Sequence, residues 1–173
     1  MIISVSELRN QIDCGEVTDE QITVRLNAIE AVIRAYTNNN FQQRFVRFLG
    51  RSKGMSVYGS PQFFAVGDTV QISGTGVNDG LYQINAIGTD HLELDKKLMD
   101  IDLNLVTKVE YPADVIQCAV DLYQWKQTMG KKVGIKSETL SRHSVTYEDS
   151  DTLFMGYPVG ILNGLKLHKK ARC

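Results

Sequence analysis

The chain has 173 residues, 43% of them hydrophobic and 23% charged, with a formal net charge of -1. That length holds one ordinary domain or one domain carrying a small inserted module, and the composition excludes wholesale disorder. A net charge so close to zero excludes a global basic field that would draw the protein to nucleic acid, so any such attraction has to be local.

Taken in chain order, Ser4 and Glu7 have capping-box spacing before Leu8 and Ile12, and Cys14-Gly15 is a stop. This predicts a first helix of about two to three turns. Thr18 and Gln21 repeat the signal, with Asp19 and Glu20 where the helix dipole favours negative charge. Ile22, Leu26, Ile29, Ile33 and Tyr36 then form an apolar stripe that ends at Thr37-Asn38-Asn39-Asn40, a long amphipathic helix. Beyond it Phe41, Phe45, Val46, Phe48 and Leu49 mix with Arg44 and Arg47, and residues 50–59 read as a Gly- and Ser-rich loop.

From Phe63 to Tyr111 the period changes to two. Short strands are expected at Phe63–Val66, Thr69–Ile72, Leu81–Ile84, His91–Leu94 and Val106–Val109. The turns Val66-Gly67-Asp68, Asn78-Asp79-Gly80 and Gly88-Thr89-Asp90 separate them. Their spacing suggests a small antiparallel barrel or sandwich. Pro112 suits the first turn of a helix running through Met129, with Ile116, Ala119, Val120 and Tyr123 inward and Gly130 as the stop. After Lys131 no long helical period remains; Ser144–Tyr147 fits a strand, and Gly160–Leu165 a short helix or turn. The fold class expected is α+β: a helical core at 1–49 and 111–133, an inserted β module at 50–110, and an extended C-terminal arm at 134–173.

The chemistry-bearing residues are sparse. Asp95, Asp100 and Asp102, and again Glu148, Asp149 and Asp151, fall in apparent turns, where solvated charge explains them better than a catalytic pair held in a cleft. Asp100-Ile101-Asp102 lacks the glycine and terminal glutamate of a calcium loop. His91, His143 and His168 are isolated, and Cys14, Cys118 and Cys173 fit neither a zinc spacing nor a disulfide framework. There is no Gly-x-Ser-x-Gly elbow, and Gly156-Tyr157-Pro158-Val159-Gly160 is not a phosphate loop. No catalytic residue, metal or cofactor is expected. No apolar run approaches the roughly 18 residues of a membrane span, and the N-terminus lacks signal-peptide character, so a soluble protein made in a cytoplasm is expected.

Two basic features stand out. Arg44, Arg47, Arg51 and Lys53 flank Phe41, Phe45 and Phe48, a mix suited to phosphate contacts and base stacking, though a strand edge blunted by charge explains it more simply. At the C-terminus Lys166, Lys169, Lys170 and Arg172 suit an acidic surface or DNA, against the plainer reading of a frayed terminus. Leu165 and Leu167 alternate with Lys166 and His168, as on one face of an added strand.

The helix end Ala35-Tyr36-Thr37-Asn38-Asn39-Asn40-Phe41 and the helix Tyr111–Tyr123 resemble the two long helices of the head-tail connector (adaptor, or head-completion) proteins of long-tailed double-stranded DNA bacteriophages. The arm Gly134–Tyr147, with its Gly-Ile-Lys-Ser-Glu start and Ser-Val-Thr-Tyr end, is the nearest match, and Tyr157-Pro158, Ile161-Leu162 and the basic close complete it. The likeness covers about residues 4–41 and 111–173, carried by the order of short matches; residues 50–110 replace a much shorter family segment.

The resemblance implies a non-enzymatic virion protein at the head–tail interface. It would form a ring, commonly of twelve copies, under the portal, extending the DNA channel and receiving the tail or next connector. Its partners would be the portal protein, neighbouring copies, a tail or stopper protein and the double-stranded DNA, with no membrane and no cofactor. The arm residues Lys136, Ser137, Glu138, Tyr147, Tyr157, Pro158, Leu162, Leu165, Lys166, Lys169, Lys170 and Arg172 would then face the portal or a neighbour. Arg44, Arg47, Arg51 and Lys53 would be the contacts to DNA or channel. A nucleic-acid-binding module built on the β insert is the alternative.

Overall fold

A computed structural model of the chain describes residues 1–128, 137–140, 143–146 and 153–171. The protein is α+β and divides into two compact units. The first holds Met1 and residues 40–111; the second holds residues 2–39 and those after 111. Among the described residues no helix is long and apolar enough to cross a membrane.

The first unit is a closed antiparallel barrel of six strands: β1 (Gln42–Lys53), β2 (Ser56–Tyr58), β3 (Thr69–Ser73), β4 (Gly80–Ile87), β5 (His91–Leu94) and β6 (Ile101–Val109). Their order around the barrel is β1-β2-β5-β4-β3-β6, so no edge is left unpaired. Val57, Val70, Ile72, Ile84, Leu92, Leu94, Leu98 and Val106 fill the interior, with Phe48, Phe64 and Tyr82 packed against them. Of the barrel-or-sandwich alternatives, closure decides for the barrel.

Two expectations are corrected here. Residues 42–58, read as the end of a helical core and a loop, are the long first strand and its hairpin partner. The outward residues Phe45 and Leu49 are themselves apolar, which hides the inside–outside contrast of a strand. Conversely, Phe63–Val66 is not a strand. Phe63 has φ 71°, the Asp68 carboxylate accepts from the Ala65 N–H at 2.7 Å, and Gly67 turns the chain with φ 89°.

The second unit contains α1 (Val5–Gln11), α2 (Asp19–Thr37), α3 (Ala113–Thr128) and α4 (Val159–Leu162), followed by a 3₁₀ helix at Asn163–His168. The caps are those the sequence signals. Ser4 Oγ accepts from the Glu7 N–H while Glu7 Oε2 accepts from the Ser4 N–H, and Thr18 accepts from the Gln21 N–H. Asn38 closes α2 in the left-handed region with φ 49°. Leu8, Ile22, Leu26, Ile29 and Ile33 are fully buried, as are Val115, Ala119 and Leu122 of α3; α2 and α3 pack on each other, and α3 on α4 and the 3₁₀ helix. Two short hairpins complete the chain: β7 (Ser137–Leu140) with β8 (His143–Thr146), and β9 (Leu153–Phe154) with β10 (Tyr157–Pro158).

Candidate functional site

The C-terminal segment is the first place where the sequence reading and the geometry part. Residues 153–171 are not an extended arm. A 3₁₀ helix repeats every three residues, so Leu162, Leu165 and His168 share a face; Leu162 and Leu165 are buried, and His168 Nε2 lies 2.6 Å from Asp114 Oδ2 in the first turn of α3. Tyr157 and Pro158 are buried too. Tyr157, Pro158, Leu162 and Leu165 are therefore packed within their own unit, not displayed on an extended arm.

The basic close is tied to the end of α2. The Lys170 N–H donates to the Thr37 carbonyl at 2.8 Å, Asn38 Nδ2 donates to the Ala171 carbonyl at 3.0 Å, and Asn39 Nδ2 donates to the His168 carbonyl at 3.1 Å. Lys169 Nζ sits 3.8 Å from the centre of the Tyr36 ring, a cation–π contact. Positive charge beside the last carbonyls of a helix is also favoured by its dipole. Lys166 and Lys170 keep exposed side chains, and Leu167 is 95% exposed. Lys136, Tyr147 and Arg172 lie outside the described residues, and of Ser137 and Glu138 only the backbone is described.

The His168–Asp114 contact has a pH signature. The hydrogen bond to His168 holds the Asp114 carboxyl below its ordinary 3.8. A carboxyl depressed in the folded state stabilises it above the unfolded value and loses that contribution as pH falls through the folded one. Thermal melts of wild type and Asp114→Asn should therefore differ above about pH 4, and the gap should close on acidification below it. A gap that widens on acidification would show the contact has another role.

The second place is the outer face of the barrel. Along β1 the residues Phe48, Gly50 and Ser52 turn inward, so Phe45, Arg47, Leu49, Arg51 and Lys53 turn outward. Phe45 is 99% exposed and Leu49 58%. On β6, Leu105 pairs with Leu49 across the strands, and Leu103, 62% exposed, lies two residues further along the same outward face. Tyr58 of β2 stands opposite Arg51 and packs on the His91 ring, centroids 5.3 Å apart. Arg51 is paired with Asp102 at 3.3 Å. Arg44, Arg47 and Lys53 have no partner among the described residues. The structure thus brings the four predicted basic residues onto one strand and adds a feature sequence reasoning missed, the apolar group Leu49, Leu103 and Leu105 between them. For Leu49 the sequence signal is the every-second-residue spacing of Phe45, Arg47, Leu49, Arg51 and Lys53, masked by apolar residues on both faces of the strand.

A buried polar network holds this face from behind. Asn104 Nδ2 is 3.1 Å from the Gly50 carbonyl, the Ile101 carbonyl and Ser52 Oγ, and its Oδ1 accepts from Asn78 Nδ2 at 3.0 Å. Asn78 accepts from the Met99 N–H at 2.9 Å and donates to the Met99 carbonyl, also at 2.9 Å. Gly50 has no room for a side chain: a Cβ there would stand 2.3 Å from the Tyr58 carbonyl oxygen.

The remaining candidates have structural tasks. Asp95 accepts from the Gln83 N–H of β4, Asp100 accepts from the Gly54 N–H in the β1–β2 turn, and His91 pairs with Asp90. Burial pushes the Cys118 thiol up to about 11, far from the thiolate a nucleophile needs. An open groove of about 660 Å³ in the helical unit is lined by residues including Asp121, Trp125 and Thr128, and the Thr128 hydroxyl is already bonded to the Gln124 carbonyl at 3.0 Å. Among the described residues no three His, Cys, Asp or Glu side chains gather as a metal site. Glu148, Asp149, Asp151 and the side chain of His143 lie outside that description, as does Cys173. No protein-family model matches the chain, and no curated protein matches it.

Proposed function

We propose that the chain is a structural head-tail connector subunit, a ring component docked under a phage portal that extends the DNA channel and carries the tail or next connector. In this reading α1 to α4 are the connector-type helical bundle, the barrel is its insert, and the protein resides in the virion at the head–tail interface. The observation that supports it best is the outward face of β1 and β6. Three large exposed apolar side chains (Phe45, Leu49 and Leu103) beside Arg44, Arg47 and Lys53, which have no partner among the described residues, are what a protein–protein contact requires and what an isolated barrel does not. The order of helix, barrel, helix and basic close adds the family resemblance to it.

A nucleic-acid-binding module is the second reading, favoured by Phe45 next to Arg44 and Arg47. The Leu49–Leu105 pair weighs against it, since contacts to a phosphate backbone gain nothing from aliphatic surface. Deleting the gene from its phage and imaging the particles tests the first reading. Filled heads that leak or lack tails are expected, and normal infectious virions would overturn it. A labelled DNA duplex bound in a salt-dependent way by the isolated protein would instead favour the second.

A further inference from the structure

Residues 42–53 carry four Lys or Arg and no carboxylate, while residues 2–24 carry Glu7, Asp13, Glu16, Asp19 and Glu20 against Arg9 alone. The net charge of -1 thus conceals two oppositely charged surfaces on one chain. Not all of that charge is free. Asp19 is paired with Arg9 at 2.8 Å, Glu7 belongs to the Ser4 cap, and Arg51 is paired with Asp102. What remains without a partner among the described residues is Arg44, Arg47 and Lys53 on one side and Glu16 and Glu20 on the other. Each set is exposed beside exposed apolar atoms. Leu49 lies two residues from Arg47, and Val24, 68% exposed, lies one helical turn from Glu20.

We propose that the outward β1–β6 face of one copy docks on the acidic start of α2 in a second copy, Leu49 and Leu103 meeting Val24 and Arg47 meeting Glu16 or Glu20. This rests on the assembly reading above and names the partner of its surface. The occupant follows from charge and polarity together: a polyanion would satisfy the arginines but leave the leucines wet, whereas this segment supplies both carboxylates and an aliphatic side chain. The two patches are unlike, so the contact is heterologous. It propagates from copy to copy and closes into a ring or runs on as a filament. The opposite charges set register and encounter rate, and the apolar pair supplies most of the affinity.

Sedimentation velocity and native mass spectrometry of the full chain at low salt test it, with circular dichroism melts to show that each variant is folded. The wild type should self-associate, and about 0.5 M salt should weaken association because exposed charges are screened at that strength. Arg47→Glu with Leu49→Asp should weaken it by at least roughly tenfold, as should Glu16→Lys with Glu20→Lys. Combining Arg47→Glu with Glu16→Lys and Glu20→Lys should recover much of the loss, the signature of a direct pair. Phe45→Ser, altered at a side chain 99% exposed on the same outward face two residues from Arg47, should keep the wild-type melt and also weaken association. A wild type that stays monomeric at about 100 μM, about a hundredfold above the micromolar end of specific association, overturns the docking. So do charge variants that assemble as the wild type does, or a charge swap that restores nothing. None of these outcomes touches the connector reading, which the particle images judge separately.

Discussion

Leu165→Ala should destabilise the helical unit by about 3 kcal/mol, within the usual cost of emptying a leucine site in a packed interior. Its unfolding midpoint should fall by roughly 10 °C, given the sensitivity of domains of this size. Leu165 is 1% exposed, and Leu162, one 3₁₀ turn earlier, is fully buried beside it. The matched control is Leu167→Ala. That side chain is 95% exposed, so its removal should leave stability unchanged within a few tenths of a kcal/mol. The pair decides between two pictures of the C-terminus. A free docking arm, ordered only by a partner, would make both substitutions silent in the isolated protein. A segment that is already core makes only the first one costly. Differential scanning fluorimetry with urea titration reads the difference, and equal effects at the two positions would show that the C-terminus is not packed into the helical unit.

The short helix expected at Gly160–Leu165 is present, and the same two leucines show why residues 165–168 read instead as an added strand. Leu165 and Leu167 are two apart, the strand period, and the basic residues between them complete an alternating pattern. The residue that matters is Leu162, three before Leu165, and a three-residue period over so short a stretch is weak evidence in a sequence. The helices were legible because their signals are local. Ser4 with Glu7 and Thr18 with Gln21 fix the starts, and Asn38 accepts the left-handed backbone that ends α2. β3, β5 and the second half of β6 were legible for a similar reason: Val70, Ile72, Leu92, Leu94 and Val106 are buried aliphatics in a two-residue pattern, and glycine marks the turns beside β3 and β5. β1 was not, because its outward face is apolar at Phe45 and Leu49, and a strand with apolar residues on both faces has lost its period. The candidate site was half legible. The basic residues were visible as a cluster, but Leu103 and Leu105 are more than fifty positions away and reach Leu49 only through barrel closure.

Asn104→Ala should cost the barrel about 3 kcal/mol, the scale of leaving two or three buried polar groups without partners. Asn104 is fully buried, and its amide is the common partner of the Gly50 and Ile101 carbonyls, the Ser52 hydroxyl and the Asn78 amide. The network lies where the β1–β6 register shifts between Gly50 and Ser52, so these side chains replace ladder bonds the backbone does not make there. Asn104→Asp should be worse near neutral pH, because a carboxylate cannot donate to the two carbonyls and would be charged in a dry site. The consequence reaches the outer surface. Leu103 and Leu105 flank Asn104 on one strand, and Leu49 and Arg51 flank its cross-strand partner Gly50 on the other. Loosening this point frees the backbone that holds the proposed docking face, so Asn104→Ala should lose both stability and self-association. Leu103→Ser separates the two effects: 62% exposed, it should leave the melt nearly unchanged while weakening association. If Asn104→Ala melts like wild type, the polar network is not what fixes the face, and the rigidity of β1 has to come from the hydrophobic interior behind Phe48 and Val57.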